Sequence, residues 1–404
     1  MNLLAYAQKH LHDTPAERPL THVDLCLLNE LAYLPLDVIA EHHAGFAYGV
    51  GAAQIYQEFY SDSELRANWF LATAQRLQLL RLVAASARFA GLKFYRYEAR
   101  QDDAEQVQFA ALTLVLPGVL KQVIFRGTDD TLTGWKEDFH LAARQQIPAQ
   151  ALAVDYLSRA LARAPKTPLY VTGHSKGGHL AVHAASMQSE QAQNRIDELI
   201  TFDSPGFVPD FLDHPGYRRT LGKTVEYIPV DSIVGRLMFK QGSPQVVASS
   251  FFGLVQHSVF NWHTDTRGHF TLAEAPTLAS DRVETVTRAW LERHSPEEVQ
   301  QVVDICFSLA MDEGYTSLLA ISQNIVPFIQ LMRVKAQELD PDTYQLVQGA
   351  LDDFLVLWRQ TRSEQRKASG SVLKIARPRA LATVRVGSRD LASLLSTERG
   401  GRLP

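Results

Sequence analysis

Apolar positions change their spacing twice along the chain. Between residues 22 and 90 they recur every three to four residues. Leu25, Leu28 and Leu31 share one face of "VDLCLLNELAYL", and the same period runs through "ELRANWFLATAQRLQLLRLVAASARFAG" to a stop at Gly91. That spacing predicts amphipathic helices. From Leu92 the period falls to two, and "LKFYRYEAR", "VQFAALTLVL" and "VLKQVIFR" predict three strands, the last two joined as a hairpin through Pro117-Gly118. A helical pattern, "AQALAVDYLSRALARA", leads to the short apolar strand "LYVT" and a second helix, "GHLAVHAASMQS". The strands "ELITF" and "TVEYIPV" and the extended segment "QVVASS" follow. Strands alternating with helices predict an α/β fold, a mostly parallel sheet with helices on both faces.

From about residue 280 the pattern is helical again. Ser295-Pro296-Glu297-Glu298 fits a capping box with proline at the first helical position. Gly314 closes that helix, and two more amphipathic stretches run to about Gln360, the first broken near Pro327. The expected organisation is a domain over 1–279 that includes the N-terminal helices, a helical C-terminal region over 280–362, and a basic, flexible tail over 363–404.

Composition narrows the function classes. At 46% hydrophobic and 21% charged residues, the chain reads as an ordinary soluble globular protein. The net charge of −4 is unevenly spread: residues 362–404 hold ten Lys/Arg and three Asp/Glu. With no aromatic residues interleaved, that tail predicts no nucleic-acid partner. Its charge suits solubility, or peripheral contact with anionic lipid. Cys26 and Cys306 lie far apart in helical patterns, which suits a reducing compartment and offers no disulfide framework. The N-terminus lacks a basic head followed by a long apolar stretch, and no window approaches the roughly 18 apolar residues of a membrane span. A cytoplasmic location is the expectation. His179 and His183 have the i, i+4 spacing of a zinc pair, but no glutamate follows His179 and no third ligand stands out. No metal and no cofactor are expected. The glycine-rich "GFAYGVG" (45–51) follows no predicted strand and reads as a loop, not a nucleotide cradle.

The candidate chemistry lies in Gly173-His174-Ser175-Lys176-Gly177, between a predicted strand and a predicted helix. That context is the nucleophile elbow, a sharp turn that lifts a serine hydroxyl out of the sheet and needs glycine where side chains would clash. The following helix N-terminus favours developing negative charge. A serine is a weak nucleophile alone, so a base and an orienting acid must lie downstream, acid first. Candidate acids are Asp203 in "TFDSPGF" and Asp231 in "YIPVDSIVGRL"; candidate bases are His257, His263 and His269. His214 lies in the turn "DHPG". Position leaves the acid open between the two. Oxyanion donors would be the Lys176 N–H and, from "VIFRGTDD", Thr128 through its N–H and hydroxyl.

Taken together, "VIFRGTDDTLTGWKEDF", "YVTGHSKGGHLAVHAA", "TFDSPGF", "YIPVDSIVGRL" and "QHSVFNW" resemble a bacterial branch of the α/β-hydrolases similar to the class 3 (triacylglycerol) lipases, over roughly residues 20 to 270. The resemblance implies an α/β-hydrolase fold and cleavage of a carboxylester or lipid acyl ester. It maps the acid onto Asp231, the base onto His257 and the second oxyanion donor onto Thr128. It also makes residues 129–146 a lid, or its stem, that could meet lipid. Three features depart from those lipases: Asp203, where they usually carry an uncharged residue, the lack of an expected secretion signal, and the helical C-terminal extension. A thioesterase or peptidase with the same triad, and a catalytically silent hydrolase-fold scaffold, are the alternative readings.

Overall fold

Among the described residues, eight strands form one sheet, and their order in space is their order in sequence. They are β1 (Val50–Gly51), β2 (Lys93–Asp102), β3 (Val107–Leu116), β4 (Leu120–Phe125), β5 (Leu169–His174), β6 (Glu198–Phe202), β7 (Thr224–Pro229) and β8 (Gln245–Val247). The computed structural model describes residues 1–61, 73–102, 107–128, 132–143, 146–162, 167–315 and 325–375. Strands β1 to β4 pair antiparallel and β4 to β8 pair parallel. The sheet is therefore mixed, with its parallel half carrying the candidate site. β3 and β4 form the predicted hairpin, and Gly118 in its turn has φ +73°, a backbone state that glycine adopts without steric cost. β1 pairs with β2 inside the glycine-rich stretch read as a loop.

The strand period of two sorts side chains between two cores. From β3 and β4, Leu112, Leu114, Leu120 and Ile124 face one core, which they share with helices α1 (His22–Glu30) and α2 (Thr73–Ala84). Phe109, Ala111, Val123 and Phe125 face the other, shared with α4 (Pro148–Ala162) and α5 (Lys176–Ser186). Between them in sequence lies α3 (Leu132–His140). Each of these large side chains contributes about 1.5–3 kcal/mol on burial, so a one-residue slip of either strand would exchange the two faces.

Beyond the sheet come α6 (Leu278–Leu291), α7 (Pro296–Asp312), α8 (Ile325–Ala336) and α9 (Pro341–Ile375). The capping box is present at Ser295: its hydroxyl accepts the Glu298 N–H while Glu298 accepts the Ser295 N–H at 2.8 Å. Pro327 lies within α8 as described, Ile325–Ala336; the stretch just before it, 316–324, lies outside the described residues. α9 continues past Ser363, where the tail was expected to begin; residues 376–404 lie outside the described residues. The chain divides into two compact units, Met1–Thr361 and Arg362–Pro404. Among the described residues, no helix is long and apolar enough to cross a membrane.

Candidate active site

Ser175 sits between β5 and α5 with φ +59° and ψ −136°, a costly conformation for a non-glycine residue. Close packing enforces it. A Cβ on Gly173 would lie 2.1 Å from the Gly177 carbonyl, and one on Gly177 would lie 2.0 Å from the Phe125 oxygen at the end of β4. The Ser175 N–H donates to the Phe202 carbonyl at 2.9 Å, tying the turn to the end of β6. Parallel strands feeding such a turn into a helix form an α/β-hydrolase-like arrangement.

The two candidate acids are placed differently with respect to His257. Asp203, fully buried and at φ +45°, follows β6 and places Oδ2 2.7 Å from Nδ1 of His257. Its Oδ1 accepts from the Ser232 hydroxyl at 2.5 Å and from the Gly235 N–H at 3.0 Å. Asp231 does not meet the histidine. It accepts the Gly253 N–H at 2.7 Å and the Thr277 hydroxyl, and its own N–H donates to Gln256 at 2.9 Å. Asp231 thus fixes the loop that leads to His257 and the start of α6. The reason is lateral order: β6 adjoins β5, whereas β7 stands one strand further out. Of the other histidines, His263 pairs with the Ser250 hydroxyl at 2.8 Å, His269 is exposed beside Asp265, and His214 caps its own turn by accepting the Gly216 N–H.

The His257 ring lies 4.5 Å from that of His174, the residue before the serine. Neither Ser175 Oγ nor His257 Nε2 has a hydrogen-bond partner among the described residues. Such bonds often tighten only in the substrate complex. With Nδ1 held by Asp203, Nε2 is the ring nitrogen of His257 left open. His174 Nε2–H donates to the His257 carbonyl at 2.8 Å. Burial, reinforced by His257, holds the His174 pKa well below the ordinary histidine value, so His174 is a neutral prop. Tyr33 was not singled out from the sequence, where it is one apolar-face residue among many. Its hydroxyl donates to the His174 carbonyl at 2.9 Å and accepts the Gly127 N–H at 2.8 Å, joining the serine turn to the loop after β4.

The backbone N–H groups of Thr128 and Lys176 have no acceptor among the described residues. The Thr128 hydroxyl, expected as a further donor, is instead given to Asp138 at 2.6 Å. The Lys176 side chain is wholly buried, with Nζ 2.6 Å from Glu137 Oε2 and 3.0 Å from the Gln108 carbonyl. Asp138 lies 3.5 Å from the same Nζ. Burial pushes the Asp138 pKa up to about 6, against the opposing pull of Lys176 and Thr128.

Glu137 and Asp138 belong to α3, in the stretch expected to be a lid. Of that stretch, residues 129–131 and 144–145 lie outside the described residues. α3 itself is packed in place. Trp135 and Phe139 meet Val299, Val303 and Phe307 of α7, the Phe139 and Phe307 rings are 5.4 Å apart, and Lys136 and His140 both reach Asp304. His179 and His183 also face packing partners, stacked on Phe207 and Phe211. Burial lowers their pKa values to about 3 and about 4. Among the described residues no cluster could hold a metal ion.

None of the curated proteins matches this chain. Among solved structures it is similar to a deletion mutant of the Rhizomucor miehei lipase propeptide complex, at 14% identity and a TM-score of 0.35, over 57% of this chain and 68% of that one. It is also similar to a fungal lipase–inhibitor complex, at 16% identity and a TM-score of 0.29, over 50% of this chain and 80% of that one. At these scores the strand order and the serine turn, not the likeness, carry the fold. Residues 83–308 match the Mbeg1-like family model, more than half of the 404 residues, and the chain belongs to that family.

Proposed function

We propose that the protein is a serine hydrolase that cleaves a carboxylester or lipid acyl ester through an acyl-enzyme on Ser175. One observation carries the reading: a buried carboxylate, Asp203, lies 2.7 Å from Nδ1 of His257, whose ring is 4.5 Å from that of His174, the residue before a serine held at positive φ. Ser175 Oγ attacks the carbonyl carbon and its proton passes to His257 Nε2. Asp203 fixes the tautomer that accepts this proton and stabilises the imidazolium. The carbonyl electron pair moves onto oxygen, where the N–H groups of Lys176 and Thr128 receive it. Collapse expels the alcohol, which takes its proton from His257, and water then repeats the sequence on the acyl-enzyme. The same machinery serves thioesters and amides, so the leaving group is decided by the surroundings of the site.

The purified chain is expected to hydrolyse p-nitrophenyl butyrate saturably and well above the blank rate. A folded chain that accelerates hydrolysis of no ester, thioester or anilide would make it a binding module built on a hydrolase-like scaffold.

A further inference from the structure

An apolar cavity of about 240 Å³ lies between α3, the loop after β7 and the helices that follow residue 278. Two parts of its wall belong to the candidate active site. The Trp135 ring is 6.4 Å from that of His257, and Val234 precedes Gly235, whose N–H holds Asp203. The lining also includes Trp290 of α6 and Val299, Val303 and Phe307 of α7. The stronger polar groups in the lining have partners, leaving the weakly polar Cys306 thiol: the Trp290 N–H donates to the Ala350 carbonyl at 2.9 Å, the Thr287 hydroxyl to Val283 at 2.7 Å, and Asp138 Oδ1 accepts from Thr128. An occupant must therefore be apolar, because a polar one would be buried without partners. No lysine, arginine or histidine lines the cavity, so a free carboxylate has no counter-charge there. The polar end of a chain must lie outside, towards the serine.

From this we infer that the cavity takes the acyl chain of the ester cleaved at Ser175, an inference that rests on the serine-hydrolase reading. A cavity of about 150 Å³ accommodates benzene, six carbons. In proportion, the 240 Å³ here suits a chain of roughly eight to ten carbons. The helices after residue 278 then act as a gauge of acyl-chain length, and substrate preference is written mainly in α6 and α7.

Two measurements test this, one of them independent of turnover. With p-nitrophenyl esters from acetate to palmitate, kcat/KM should rise to a maximum near the octanoate or decanoate and fall beyond it. Cys306→Phe, which fills the cavity from α7, should lower kcat/KM for the decanoate by at least about 10-fold while leaving the acetate within about 2-fold. Cys306→Leu is the milder filling should the larger one not fold. Separately, the methyl ester of a terminally brominated decanoic acid should quench tryptophan fluorescence in Ser175→Ala, and less so once Trp290→Phe is added. Ester hydrolysis with a flat chain-length profile and no quenching would overturn the role of the cavity alone. Quenching in a chain that hydrolyses no ester would overturn the serine-hydrolase reading, and with it the assignment of the chain to a substrate.

Discussion

Asp203→Asn is expected to lower kcat/KM for a short ester by about 10⁴-fold. The asparagine oxygen can still accept from Ser232 and Gly235, which now hold Asp203 Oδ1. Its amide nitrogen must then donate to His257 Nδ1. That forces the proton of the imidazole onto Nε2, the nitrogen that has to accept from Ser175, so the base is lost while the packing survives. The thermal midpoint should stay close to wild type. Asp231→Asn should behave in the opposite way. One carboxylate oxygen accepts from Gly253 and the other from Thr277, and an amide can accept at only one of those places. The cost is one unsatisfied group, about 1–3 kcal/mol of stability, and a loss of activity well short of the Asp203 effect. Steady-state kinetics and thermal unfolding on both variants separate the cases. If Asp231→Asn proved the catalytically crippled and thermally normal variant, the acid would have to be reassigned.

The largest effect on stability is expected at Lys176. Lys176→Met keeps the apolar stem but removes Nζ, leaving Glu137, only 3% exposed, with the Gln108 N–H as its remaining donor to Oε2. Glu137 Oε1 has no hydrogen-bond partner among the described residues. A buried carboxylate stripped of its partner costs about 3–5 kcal/mol. The pair also joins the residue after the serine to α3, so loss of the pair should loosen α3 near the site. Adding Glu137→Gln should restore much of the midpoint by removing the stranded charge. Thermal unfolding of the single and double variants checks this. A Lys176→Met chain that melts with the wild type would mean that the ammonium reaches solvent and the pair is not closed.

Local sterics and periodicity made the serine turn readable. Gly173 and Gly177 are demanded by contacts within a few residues of Ser175 and with the neighbouring strand. β6 has the bounds of the apolar run "ELITF", because that run is short, apolar and flanked by polar residues. Which carboxylate meets His257 was not readable. Asp203 and Asp231 both follow strands, and the choice between them depends on which strand adjoins β5 and on donors from Ser232 and Gly235, some thirty residues after Asp203. The fate of α3 was hidden for the same reason: its amphipathic pattern suits a lid or a packed helix equally, and contacts with α7 decide it. The buried pairing of Lys176 with Glu137, and the bridge made by Tyr33, likewise join residues far apart in sequence. β1 spans two residues, too few to show a period.

The central claim is that Ser175 is an activated nucleophile, and reaction with a fluorophosphonate tests it without knowledge of the natural substrate. An activated serine attacks the phosphorus and displaces fluoride, leaving a stable phosphonyl adduct, whereas an idle serine does not react. The protein should gain one adduct per chain by intact mass, located by peptide mapping at Ser175, and Asp203→Asn should slow its formation markedly. A folded wild-type chain that stays unmodified, or is modified at another residue with Ser175 free, would contradict the account.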